Sequence, residues 1–160
     1  MPKNQIDIYK GSFFQSSFYD GVFVYELKPN VMVTIDMYKE FHESLRIIYN
    51  SLGGQFPIMI KITGFLGMDQ ESRRIAKLHR EEKLVYISAC VTPSGLLNGM
   101  MRVIFTVVGS KSLPKNFFTK ERKALKWLEE KRKELNMNTL TEKEVRNGLF
   151  LDHESSDFSR

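Results

Sequence analysis

Two glycine-bearing turns, each opening a helix, hold the residue types best suited to binding chemistry in this chain. The first runs from Thr63 and Gly64 to Asp69, Ser72 and Arg73; the second takes in Thr92, Ser94 and Gly95. A helix start presents N–H groups without intrahelical partners at the positive end of the dipole, which suits an anion. In open α/β sheets, ligands gather beyond the carboxyl ends of the strands, and both turns fall there. With Arg73 alongside, these residues form a candidate anion- or partner-binding set. Helix capping is the competing account of Asp69, Thr92 and the following Pro93, and it explains them as well.

The remaining reactive types are scattered. His42, His79 and His153 lie on different elements or near the end of the sequence, and no HxH, HExxH or CxxC spacing occurs. That pattern supports neither a metal site nor a catalytic triad. His42 beside Glu43 reads as a surface pair. Cys90 alternates with Ser88 inside an apolar strand, which predicts a buried thiol rather than a nucleophile. No Walker A or GxGxxG fingerprint appears. The expectation is a protein with no catalytic residues, cofactor or metal.

Around these groups, residues 83–135 form the most informative stretch of sequence. An apolar strand (83–92) leads to a helix starting at Thr92-Pro93 that is apolar nearly all round (94–108). Leu96, Leu97, Met100, Met101, Val103, Ile104 and Phe105 belong to it. Core packing is its plainest role, but Leu97, Met100, Met101 and Ile104 also suit an apolar ligand or a dimer face, because methionine adapts to varied partners. Asn116-Phe117-Phe118 then makes a short strand, and Thr119 is placed to cap a final charged helix.

Upstream, Asp20-Gly21 joins two β-prone runs as a tight hairpin. Thr34 caps a helix with Phe41, Leu45, Ile48 and Leu52 on one stripe, and Gly53-Gly54 stops it. Residues 57–62 form a strand, 63–68 a loop, and 70–80 a helix with Ile75 and Leu78 inward. The order β-β-α-β-α-β-α-β-α predicts an α/β fold: a mixed, mostly parallel sheet with an N-terminal hairpin and about four helices. Residues 1–135 make up this domain. Residues 136–160 read as a polar, flexible tail with one weak helix near 141–147, where Thr141 and Glu144 match a capping box, and with 149–151 as its candidate docking point.

Composition is that of an ordinary globular domain: 160 residues, 42% hydrophobic and 27% charged, with a net charge of +5. Residues 136–160 hold three basic and five acidic groups, so residues 1–135 carry +7. The charged helix after Thr119 mixes both signs at helical spacing, which favours a solvated face over a nucleic-acid surface. The longest apolar stretch, 96–108, is interrupted by Asn98, Gly99 and Arg102 and is too short to span a bilayer. A single cysteine and no apolar leader segment predict a cytoplasmic protein.

With Pro57-Ile58-Met59-Ile60 leading to Gly64, then Glu71-Ser72-Arg73, Asn116-Phe117-Phe118-Thr119 and Ala124-Leu125-Lys126-Trp127-Leu128, the chain resembles the STAS fold. The resemblance is to the sporulation anti-sigma-factor antagonists and their SpoIIAA-like bacterial relatives, and it spans residues 21–135. It implies a non-enzymatic, regulatory protein-interaction or ligand-sensing module, with a protein partner or a second copy of the chain as the expected partner. In the antagonists a Met-Asp-Ser-Ser-Gly turn carries a phosphorylated serine. The similar turn here reads Met68-Asp69-Gln70-Glu71-Ser72, so no hydroxyl stands at the expected position. Three expectations follow: a STAS-like interaction or ligand-sensing module, a carrier or sensor of a small apolar or lipid-like ligand, and, more weakly, a binder of nucleic acid or an anionic surface.

Overall fold

The computed structural model describes residues 4–54, 56–79, 84–108 and 115–150. Its centre is a six-stranded sheet with the order β1-β2-β3-β5-β7-β8. Strands β1 (Ile6–Lys10), β2 (Phe14–Tyr19) and β3 (Val22–Leu27) are antiparallel neighbours, and β5 (Phe56–Ile62), β7 (Val85–Val91) and β8 (Lys115–Phe118) continue in parallel. The mixed, mostly parallel sheet expected from the sequence is therefore present. The β2–β3 turn follows from Asp20 at φ 52° and Gly21 at φ 75°, both left-handed as a two-residue hairpin requires.

Helices α1 (Ile35–Leu52), α2 (Gln70–His79) and α3 (Gly95–Val108) serve the successive crossovers, and α4 (Glu121–Glu134) follows β8. The strands alternate between two apolar faces, so each face acquires its own core. Phe14, Phe18, Phe23, Tyr25 and Ile58 pack with Leu45 and Ile48 of α1. Ile62 and Cys90 continue that side beneath Met101 of α3. On the opposite side Val22, Val24, Met59, Ile87 and Ala89 are covered by Ala124 and Leu128 of α4. The α1 termini form as the sequence predicts. Thr34 Oγ1 accepts from the Met37 N–H at 3.5 Å, and Gly53 at φ 71° returns its N–H to the Tyr49 carbonyl.

Several expectations need correction. Residues before the hairpin add β1, paired with β2. The loop expected at 63–68 contains β6 (Phe65–Met68), which pairs in parallel with β4 (Val31–Val33) as a small second sheet. Thr92 does not cap α3: Ser94 does, accepting from the Leu97 N–H at 3.1 Å. Thr119 does not cap α4, whose first flanking residue is Lys120, without a side-chain cap. Leu78, expected inward, is exposed, while Ser72 and Ala76 take the buried side of α2.

The largest difference lies after residue 135. A fifth helix, α5 (Glu142–Phe150), buries Val145 and Leu149 in the core shared by Ile6, Phe18 and Leu45. It starts at the capping box the sequence suggested, with the Thr141 N–H and hydroxyl both donating to Glu144 at 2.7 and 2.8 Å. Residues 142–150 thus belong to the packed domain. The expected helix end at 80, the strand start at 83 and docking through Leu151 lie outside the described residues.

Candidate functional site

The first candidate set is assembled by secondary structure and largely consumed by it. Asp69 accepts from the Ser72 N–H at 2.7 Å, so it caps α2, and those bonds hold its carboxyl below the usual range. Ser72 is fully buried and donates to the Val33 carbonyl at 3.3 Å, tying α2 to β4. Gly64 sits against Asn30: an added Cβ would stand 2.8 Å from the Asn30 Oδ1 and 3.0 Å from its N. Thr63 is exposed beside it. In the second turn Thr92 is buried and pairs through its N–H with the Phe118 carbonyl at 2.9 Å, while Ser94 and Gly95 are exposed at the start of α3. Of the whole set, Arg73 alone projects a charged group that no cap or ladder uses.

The apolar candidate set divides between two sides of α3. Met101 is buried against Ile62 and Cys90, with Leu97 half-buried beside it. Met100 faces outward at 48% exposure, joined by Leu96 at 80% and Val103 at 66%. The side chain of Ile104 lies outside the described residues. Over its described side chains, residues 95–103, the helix is therefore buried on one side and openly apolar on the other. The outward set follows i, i+4, i+7 spacing, which the sequence shows once the inward face is known.

Helix geometry places α2 against this surface. At about 100° per residue, Ser72, Ala76 and His79 centre the buried side of α2. Arg73 and Lys77 fall on one flank, and Glu71 and Leu78 on the other. The His79 ring stacks on His42 of α1 at 4.1 Å, with Tyr38 beside both, and the Lys39 charge of α1 acts on the Glu71 carboxyl, which assigns the Glu71 and Leu78 flank to α1. Arg73 and Lys77 consequently face α3. On α3, the Arg102 guanidinium lies 4.9 Å from the centre of the Phe117 ring of β8, which sends that flank away from α2. Leu96 and Met100, on the opposite flank, turn toward α2. His42, expected as a surface residue, is instead buried in that aromatic stack.

Elsewhere the polar chemistry is structural. Lys61 of β5 bridges Glu26 of β3 at 2.5 Å and Glu121 of α4 at 3.0 Å, and Glu121 also accepts from the Tyr19 hydroxyl. Burial opposes the Lys61 charge, but the hydrogen bonds that its ammonium donates to both carboxylates outweigh it and raise its pKa. Burial alone pushes the Cys90 thiol up to about 12, so it remains protonated and a poor nucleophile. A groove beside α4 is lined by Asp20, Arg122, Lys126, Glu129 and Arg132, with Leu125 and Leu128 behind them. Both signs of charge line it. Among the described residues no three His, Cys, Asp or Glu side chains cluster for a metal, and no helix is long and apolar enough to cross a membrane.

Residues 16–132 match the profile of the family described as Domain of unknown function (DUF7793). The chain belongs to that family. Among curated proteins, none matches this DUF7793 chain. Its fold is similar to that of an uncharacterised DUF3478-family protein with a SpoIIAA-like fold from Shewanella loihica PV-4. That structure is 18% identical over 72% of this chain and 91% of the other, with a TM-score of 0.51. The family resemblance and SpoIIAA-like architecture expected from the sequence are thereby shown. An enoyl-CoA hydratase from Geobacillus kaustophilus HTA426 matches at 11% identity over 82% of this chain and 77% of that one, with a TM-score of 0.46, too distant to bear on activity.

Proposed function

We propose that this DUF7793 domain is a non-catalytic interaction module whose partner docks on the outer side of α2 and α3. The observation that carries the reading is the apolar row Leu96, Met100 and Val103, held in solvent by a helix whose other side is anchored to the sheet. Exposed leucine and valine at helical spacing, next to the exposed Arg73 and Lys77, make a surface suited to contact. The residues with catalytic potential are occupied: Asp69 caps, Ser72 is buried, and Cys90 is protonated in the core. The buried free thiol suits a reducing, cytoplasmic setting. Affinity capture with the full chain tests this reading. A Leu96→Asp, Val103→Asp variant with an unchanged melting temperature should lose the proteins that the wild type retains. Identical retention by both chains overturns it.

A further inference from the structure

We infer that the partner element is an acidic amphipathic helix seated in the furrow between α2 and α3, a refinement that rests on the docking reading above. The two walls of this furrow differ in chemistry. The α3 wall supplies Leu96 and Met100, with Val103 at its crest, and the sequence of α3 contains no acidic residue. The α2 wall supplies Arg73 and Lys77, one turn apart on the flank that faces α3. Neither makes an ion pair with a described residue, whereas Arg74, on the outer surface of α2, is taken by Glu71 at 2.6 Å. A ligand that satisfies both walls must be apolar along one side and anionic along the adjoining edge.

Two neighbouring helices leave a furrow that a third helix fills, with axes about 8–10 Å apart. A helix with leucine-type residues at i, i+3, i+4 and i+7 covers the α3 row, and glutamates on its flank reach Arg73 and Lys77. A second copy of this chain fits less well, since its matching face would bring cations against cations. An anionic bilayer fits less well too. Interfacial helices spread cations along both sides of a projecting apolar plane, whereas here the cations occupy one wall and the apolar groups the other.

A direct binding measurement tests this. The probe is a fluorescein-labelled helical peptide of about five turns, with leucines at those spacings and glutamates along one flank. Its control carries lysine at each glutamate position. The full chain should bind the acidic peptide at least about tenfold more tightly by anisotropy, and added salt should weaken that binding. Arg73→Glu with Lys77→Glu should erase the preference, and Leu96→Asp should weaken both peptides, all at unchanged melting temperature. Equal affinity for the two peptides overturns the acidic assignment, and so does no binding of either. If Leu96→Asp, Val103→Asp still abolishes capture in those cases, the docking reading stands without it. Preferential binding to phosphatidylglycerol vesicles that excludes the acidic peptide also overturns the inference.

Discussion

Ser72 shows how a single side chain separates likeness of fold from likeness of function. It is the only hydroxyl in the Met68–Ser72 turn, yet it is fully buried and donates to Val33. A kinase cannot reach it while α2 is docked on β4. Ser72→Ala removes one hydrogen bond and should cost about 1 kcal/mol in denaturant unfolding. Ser72→Asp, which imitates a phosphate elsewhere, buries an unpaired charge and should cost about 3 kcal/mol or more. An unaltered stability for the aspartate variant would show that the site opens freely. The sequence revealed the missing phosphoacceptor because that depends only on residue identity. It did not reveal where Ser72 points, because that depends on β4, a strand of three residues with no periodicity to detect.

The clamp of Lys61 with Glu26 and Glu121 joins two strands to the start of α4, and its pH behaviour follows from the direction of each shift. The hydrogen bond from Lys61 holds Glu26 below the usual carboxylate range despite partial burial. A carboxylate with a depressed folded pKa contributes stability above its unfolded pKa and loses it as pH falls through the folded value. Lys61, raised in the folded state, contributes below the ordinary lysine range and loses that contribution as pH climbs through its folded value. Wild-type stability should therefore form a plateau between about pH 5 and pH 10 and fall on either side. Lys61→Met should flatten the acid limb in urea titrations; an unchanged limb would place the acid sensitivity elsewhere. Elements fixed by local chemistry, such as the Asp20-Gly21 turn and the Thr34 and Gly53 caps, were legible in advance. The sequence pattern places the start of α3 two residues early because Thr92, Pro93 and Ser94 each carry a start signal, and only the sheet decides that Thr92 belongs to the strand edge.

Taken whole, the domain is larger than its sequence composition suggested. A polar stretch with isolated apolar residues reads as a tail, but Val145 and Leu149 at i, i+4 are enough for one side of α5 to enter the core. Gly148 permits the approach, since an added Cβ would stand 2.4 Å from Leu52 and 3.2 Å from the Ser51 carbonyl. A chain cut after residue 135 should accordingly melt at a lower temperature, less cooperatively, and bind an apolar dye that the full chain does not. An unchanged calorimetric transition would return α5 to the status of an appendage. The same packing has a consequence for biosynthesis. Ile6, near the beginning of the sequence, shares one cluster with Leu149, so the aromatic core around Phe18 and Tyr25 cannot seal while α5 is still inside the ribosome. Until then the emerging polypeptide holds a half-covered sheet, and the cell must shield it from neighbours.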